Sequence, residues 1–159
     1  MVPLIALVAG GCGGSTPKSS ASSKSTTVRP PTVDSSTNRL GEILVDSKGR
    51  TVYLFKKDKG TKSACIGPCA NAWPPVRANS KPTVSGDAKA SKVATTTRSD
   101  GAPQVTYNGH PLYRYQNDDK PSDATGQGVN AWGGRWFALT PAGKQSAGKG
   151  PKPSSGGGY

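Results

Sequence analysis

Residues 49–58 read GRTVYLFKKD, and residues 109–118 read GHPLYRYQND, sixty positions further along the chain. Both segments contain a tyrosine, an aromatic residue two positions later and an aspartate three positions after that. The tripeptide NAW follows each segment, at residues 71–73 and again at residues 130–132. Self-similarity at a nearly fixed spacing is the signature of a repeated structural unit. The sequence therefore predicts two copies of one unit.

Both copies have the pattern of β-structure. Short stretches rich in aliphatic, aromatic and threonine residues are separated by glycine-containing turns, which is typical of hairpins. The predicted hairpins pair residues 42–45 with 51–55 and residues 93–98 with 103–107, and a further turn lies at Asn108 and Gly109. Neither half is large enough to bury an apolar face alone. We therefore predict a mainly β fold with short helical turns, in which two pseudo-symmetric repeats pack as one small domain.

The aromatic residues delimit the folded region. All except Tyr159 lie between Tyr53 and Phe137, although only 32% of the chain is hydrophobic and it contains 21 Gly and 14 Pro. Flanks rich in Gly, Ser, Thr, Pro and Lys cannot bury enough apolar surface to form a core. The predicted domain covers residues 40–142, with copy one at about 41–78 and copy two at about 93–140. The predicted flanks are a signal segment at 1–12, a linker at 13–39 and a disordered tail at 143–159.

The repeated motif supplies candidate binding residues. Side chains two positions apart share one face of a strand, so each copy is expected to present a pair of aromatic rings on one side of its sheet. The aspartate just past each strand is expected to accept backbone N–H groups of the following turn, with ligand binding as the alternative. The NAW tryptophans are expected to fill the apolar face of the sheet, with ligand stacking as the alternative. The candidate binding surface comprises eight residues: Tyr53, Phe55, Asp58, Trp73, Tyr113, Tyr115, Asp118 and Trp132.

The beginning of the chain carries an apolar run followed by small residues and a cysteine. Residues 2–9 read VPLIALVA, and Gly10 and Gly11 precede Cys12. This run is shorter than the roughly 20 apolar residues of a membrane-spanning helix and has the length of a signal-peptide core. The segment resembles the lipobox of bacterial lipoproteins. The resemblance implies that Cys12 is lipidated and holds the protein at the extracytoplasmic face of the cell membrane.

The folded region resembles a known family. Two copies of Tyr-x-(Phe/Trp/Tyr)-x-x-Asp, the segment CIGPCANAWPP and the segment VTYNGHPLY are similar to the bacterial lipoproteins called "secreted repeat of unknown function". The resemblance covers about residues 40–143. It implies export to the bacterial envelope, and it supplies no established activity.

Cys65 and Cys69 form an even pair once Cys12 is assigned to the lipid. An exported setting is oxidising, and a helical turn opened by Pro68 would bring the two Cα atoms within disulfide distance. We therefore expect a structural disulfide. Thiol exchange and a copper site completed by His110, the only histidine, remain alternatives. The default expectation for His110 is an exposed turn residue.

The distribution of charge and the absence of catalytic motifs argue against nucleic-acid binding and enzyme activity. The chain has a net charge of +12, but residues 40–139 contain 14 Lys and Arg against 8 Asp and Glu, so half of the excess lies on the flanks. The scattered lysines do not fit a nucleic-acid interface. Neither a catalytic triad nor a phosphate-binding loop is recognisable, and we expect no enzyme activity and no cofactor.

The sequence therefore predicts a lipid-anchored envelope protein with a non-catalytic binding or structural role. Its expected partners are the membrane, through the anchor, and an anionic envelope polymer or an envelope protein. Two alternatives remain open. The first is an exported redox or copper-binding electron-transfer protein that uses Cys65 and Cys69. The second is a module that binds a cell-wall polymer through basic charge and exposed aromatic rings.

Overall fold

The protein is β-rich, as the sequence predicts. A computed structural model describes residues 32–78 and 80–151. The strands are β1 (Thr32–Asn38), β2 (Gly41–Asp46), β3 (Tyr53–Phe55), β4 (Thr83–Val84), β5 (Val93–Thr97), β6 (Pro103–Tyr107), β7 (His110–Pro111), β8 (Asn130–Ala131) and β9 (Gly134–Ala138). One α-helix, α1 (Pro68–Ala72), and one 3-10 turn, Ala90–Lys92, complete the elements. No helix in this part of the chain has the length and apolar character needed to cross a membrane.

The strands form three small sheets. Their strand orders are β2-β1-β4, β3-β9-β8 and β5-β6-β7. All neighbours are antiparallel except β1 and β4, which run parallel. In the second sheet a strand of copy one pairs with a strand of copy two, because β3 lies beside β9. The two copies therefore share one domain.

The predicted linker is too long at its carboxyl end. Residues 32–38, which belong to the predicted linker at 13–39, form β1, the central strand of its sheet. The segment TVDSSTN contains a single aliphatic residue, Val33, and its side chain is buried. Its other residues are short and polar, so it has no hydrophobic alternation to reveal a strand. Main-chain pairing with both β2 and β4 holds it in place. The predicted signal segment and the rest of the linker lie outside the described residues.

The predicted disordered tail begins too early. Residues 143–151 pack against the domain, and the buried Ser146 donates its hydroxyl to the carbonyl of Leu40 at 3.2 Å. The Gln127 amide donates to the carbonyls of Ser146 and Gly148 at 3.0 and 2.8 Å. Polar side chains fasten this segment through backbone groups, a type of contact that composition does not reveal. Residues 152–159 lie outside the described part of the chain.

Main-chain hydrogen bonds interlock the two copies. In copy one, Leu44 N donates to Leu139 O at 2.7 Å, Leu139 N donates to Val52 O at 3.4 Å, and Val52 N donates to Leu44 O at 3.2 Å. Leu139 belongs to copy two. These three main-chain bonds join Leu44, Val52 and Leu139 in a triangle. The last apolar residue of copy two thus completes a triangle whose other two members belong to copy one.

The same triangle recurs with the copies exchanged. Val105 N donates to Val76 O at 2.8 Å, Val76 N donates to Leu112 O at 2.9 Å, and Leu112 N donates to Val105 O at 2.9 Å. Here Val76 comes from copy one. Each copy therefore contributes its final stretch to the other copy, around a pseudo-twofold axis.

Splitting the chain tests this exchange. Fragments 1–80 and 81–159 each lack the stretch that closes their own triangle, and short unpaired strands are not stable alone in water. We expect that neither fragment folds as a monomer and that co-refolding restores the near-ultraviolet circular dichroism of the intact chain. A single fragment that is monomeric by size-exclusion chromatography with a native-like spectrum would show that the copies fold independently.

Candidate functional site

The two motif tyrosines face each other across the pseudo-twofold axis. Tyr53 N donates to Tyr113 O at 2.8 Å, and Tyr113 N donates to Tyr53 O at 3.0 Å. Both side chains are fully buried. The repeated motif therefore lies at the centre of the domain, where the copies meet.

The hydroxyl of Tyr53 donates to Oδ2 of Asp118, which belongs to copy two. Oδ1 of Asp118 accepts the backbone N–H of Thr125 at 3.0 Å and also its hydroxyl. The Gly126 N–H donates to the Tyr53 oxygen at 3.3 Å. Burial, and then the charge of Asp118, raise the pKa of Tyr53 far above that of a free phenol. The phenol therefore stays protonated and remains a hydrogen-bond donor.

The reciprocal pair joins Tyr113 to Asp58 of copy one. The Tyr113 hydroxyl donates to Oδ2 of Asp58 at 2.9 Å and lies 2.7 Å from Ser63 Oγ. Oδ1 of Asp58 accepts the Ala64 N–H at 2.7 Å. Burial raises the pKa of Asp58 to about 6, against the opposing effect of these hydrogen bonds. Burial and the nearby Asp58 likewise raise the pKa of Tyr113.

These pairs, Tyr53–Asp118 and Tyr113–Asp58, form what we call the Tyr–Asp lock. The predicted capture of a turn N–H by each aspartate is confirmed, because Ala64 and Thr125 are the donors. The sequence did not reveal that each tyrosine binds the aspartate of the other copy. Four residues of extended and turning chain separate the tyrosine from the aspartate of one motif, and each of the two binds a partner in the other copy.

Four aromatic rings form a continuous stack beside the lock. The ring centroids of neighbouring members lie 4.2, 3.9 and 4.0 Å apart, and the central pair is tilted by only 4°. The order in the stack is Tyr115, Trp73, Trp136 and Phe55. The two tryptophans also meet the lock tyrosines edge-on. Trp73 of copy one therefore corresponds in position to Trp136 of copy two.

The prediction that Trp132 fills the apolar face is wrong. Trp132 is 46% exposed at the tip of the β8–β9 hairpin, with Gly133 as the other turn residue. In copy one NAW ends a helix, whereas in copy two the same letters enter a two-residue turn. The tryptophan that enters the core comes four positions later, at Trp136. The matching tripeptides therefore do not occupy matching places.

The predicted binding surface is also wrong for most of its members. Tyr53, Phe55, Trp73, Tyr113 and Asp118 are buried in the core. Asp58 and Tyr115 are half-buried, and only Trp132 is exposed. Each ring pair does share one face of its strand, but that face is covered by the rings of the other copy. The aromatic motif therefore joins the two copies instead of lining a groove.

The expected disulfide is confirmed. Cys65 and Cys69 are bonded, with their Cα atoms 5.2 Å apart, and Pro68 opens helix α1 between them. Among the described residues, no group of three or more His, Cys, Asp or Glu side chains is arranged to hold a metal ion. Cys65, Cys69 and His110, the residues of the copper alternative, do not form such a group. His110 is half-buried, contrary to the expected exposure, and burial followed by the charge of Lys56 lowers its pKa.

Arg98 is a buried residue that the sequence did not single out. Its guanidinium donates to the Cys65 carbonyl and to Gln104 Oε1, both at 2.8 Å, and to Ser63 Oγ at 3.0 Å. Asp100, which is partly exposed, lies 3.2 Å from Arg98 Nε. Arg98 thus ties the disulfide loop of copy one to copy two. It lies at the end of a strand rich in threonine, where a surface position would be the ordinary expectation.

Removing one lock hydroxyl tests its contribution to stability. Tyr53→Phe leaves a buried carboxylate oxygen of Asp118 without its donor, and we expect the free energy of unfolding to fall by about 1–3 kcal/mol. Tyr115→Phe is the matched control, because its hydroxyl accepts a hydrogen bond from the side chain of the exposed Asn117. The control should change stability by less than about 0.5 kcal/mol. Equal effects in urea unfolding would contradict the assigned role of the Tyr53 hydroxyl.

Asp58 predicts a pH dependence of stability. Its folded pKa of about 6 lies above the ordinary value of a carboxyl group, so the folded state binds more protons than the unfolded state between about pH 4 and 6. The free energy of unfolding should therefore fall as the pH rises through this window. Asp58→Asn should remove that fall, which urea unfolding at several pH values measures. An unchanged profile would show that Asp58 does not titrate in this way.

Comparison with known proteins places this architecture in a family. No curated protein and no solved structure matches the chain significantly. A family model described as a secreted repeat of unknown function matches residues 35–77 and 94–140, which together make up more than half of the chain. The two matched segments correspond to the two interlocked copies. The chain therefore belongs to the family of secreted repeats of unknown function, as its motifs indicated.

Proposed function

We propose that this protein is a lipid-anchored component of the bacterial envelope, with a non-catalytic binding or structural role at the extracytoplasmic face of the membrane. Membership of a secreted family supports an extracytoplasmic location. The apolar run and the small residues before Cys12 support the anchor. A diacylglyceryl group would supply two acyl chains, and two chains make membrane attachment stable. Cys12 itself lies outside the described residues.

The Tyr–Asp lock is the observation that carries the non-catalytic role. The motif tyrosines and aspartates are the residues by which the repeat is recognised, and their polar atoms bind one another. Among the described residues, every buried side-chain nitrogen and oxygen has a hydrogen-bond partner within the protein. The motif thus specifies a rigid double-repeat scaffold. We infer that the surface of this scaffold, and not its central motif, makes contact with other envelope components.

The redox and copper alternatives have less support from the cysteines. Cys65 and Cys69 are joined and nearly inaccessible, and Arg98 holds the carbonyl of Cys65. These contacts favour a structural staple for the loop. Binding of an anionic wall polymer keeps some support from the lysines of copy one.

Cys12→Ala tests the proposed anchor. We expect the wild-type protein to fractionate with the membrane and the variant to leave it, because the thiol that accepts the lipid is gone. Globomycin, which blocks lipoprotein signal cleavage, should make the wild-type precursor accumulate. Ser15→Ala is a nearby control that keeps the cysteine and should not change partitioning. Membrane partitioning that neither treatment alters would refute lipidation at Cys12.

A further inference from the structure

The turn that follows the motif in copy one concentrates positive charge. Lys59 and Lys62 lie directly opposite each other, because each donates its backbone N–H to the carbonyl of the other at 3.2 and 3.1 Å. Like charges in such a cross-strand pair are destabilising. The carboxylate between Lys57 and Lys59, that of Asp58, points inward to the lock. Within residues 32–78 and 80–151, these lysines take part in no ion pair.

A tryptophan at an unfavourable position lies beside these lysines. Trp132 has a φ of +60°, and the first position of this two-residue hairpin turn favours Asn, Asp or Gly. A bulky side chain with positive φ is strained. The Trp132 carbonyl accepts a hydrogen bond from Lys57 Nζ at 3.2 Å, so the turn that carries this tryptophan lies beside the lysine charge. A strained and exposed aromatic residue indicates a functional position.

A second exposed apolar side chain lies on the segment between β3 and α1, which also carries the three lysines. Ile66 is 54% exposed, and in the described part of the chain it and Trp132 are the large hydrophobic residues with high exposure. An open depression of about 240 Å³, lined by Lys57, Lys59, Lys62, Ser63 and Ala64, lies on the segment that leads to Ile66. We call the five outer side chains the lysine–tryptophan face. Its members are Lys57, Lys59, Lys62, Ile66 and Trp132.

The fold itself does not require this charge. The positions of copy two that correspond to Lys57 and Lys59 are Asn117 and Asp119, which are neutral and acidic. Both copies nevertheless make the same lock. The lysines are therefore a property of copy one alone, and a ligand of opposite charge explains them better than packing does.

We propose that the lysine–tryptophan face docks the domain onto the anionic phospholipid surface of the membrane that holds the lipid anchor. Tryptophan beside lysine suits the boundary between headgroups and acyl chains, because the ring is amphipathic and the ammonium groups reach the phosphates. Ile66 adds a second apolar contact. The positive charge of the three lysines is complementary to an anionic lipid surface and not to a zwitterionic one.

This inference rests on the proposed anchor, which keeps the surface within reach. Twenty residue steps separate Cys12 from β1, so the domain cannot move more than about 70 Å from the lipid. Docking is then intramolecular and occurs at a high effective concentration. Weak individual contacts suffice under these conditions, since each lysine near an anionic surface contributes only about 1 kcal/mol.

Trp132 provides a direct readout of docking. The chain has three tryptophans, and Trp73 and Trp136 are buried. The purified lipidated protein is reconstituted in vesicles of phosphatidylglycerol or of phosphatidylcholine, each containing brominated lipid as a quencher. We expect a blue shift and quenching of Trp132 on phosphatidylglycerol only, with loss of both at high salt because the attraction is screened.

Two variants and one control make the test specific. Lys57→Ala, Lys59→Ala and Lys62→Ala combined should lower the docking equilibrium constant on the order of 100-fold. Trp132→Asn, which suits the turn, removes the reporter and gives the background signal of the two buried tryptophans. Lys81→Ala, Lys89→Ala and Lys120→Ala combined remove the same charge from exposed positions elsewhere and should leave docking unchanged.

Three results would overturn the proposal. The first is equal quenching on both lipids, and the second is equal loss of docking in the two triple variants. The third is no quenching on phosphatidylglycerol together with protection of Trp132 by purified wall polymer, which would assign the face to a glycan. The lipid anchor holds the protein in the vesicles of every sample, so the Trp132 signal reports docking alone. Membrane fractionation of the Cys12→Ala variant reports the anchor. Failure of one is therefore distinguishable from failure of the other.

Discussion

A pair of reciprocal hydrogen bonds, each from a tyrosine hydroxyl of one repeat to a carboxylate of the other, holds the centre of this protein. Tyr53 binds Asp118, and Tyr113 binds Asp58. The first bond is buried and the second is partly buried, so an unpaired carboxylate at either place would be costly. The main-chain bonds between the two tyrosines fix the same axis. The spacing within the motif is therefore a requirement of the interface between copies, and one copy alone cannot satisfy it.

Local patterns predicted the local features. Strand-forming residues, turn glycines and the CIGPC spacing predicted the β class, the repeat and the disulfide, because each depends on neighbours along the chain. The exchange of final stretches was not predictable in this way, since Val76 and Leu139 bond to residues of the opposite copy. The sequence did not predict β1 as a strand. This polar segment is held by main-chain pairing with β2 and β4 and not by apolar side chains. Seven of the eight candidate residues lie in the core or at its border instead of on a binding surface, and Trp132 lies apart because NAW meets a helix in copy one and a hairpin in copy two.

The two copies share a scaffold and differ in their loops. After Asp58 the loop is stapled by a disulfide and tied to copy two through Arg98. After Asp118 the loop is held by Thr125 and carries further aspartates. A rigid symmetric core with divergent loops is a common arrangement for binding proteins, because loops vary without disturbing the core. The difference in charge between these loops points to copy one as the side that meets an anionic surface.

A double-mutant cycle measures whether the lock joins one copy to the other. Urea unfolding of Tyr53→Phe, Asp118→Ala and their combination gives the coupling between partners from different copies. The same cycle with Asp58→Ala gives the coupling within one motif. We expect a coupling of about 0.5–3 kcal/mol for Tyr53 with Asp118 and less than about 0.5 kcal/mol for Tyr53 with Asp58. The reverse order would contradict the reciprocal lock.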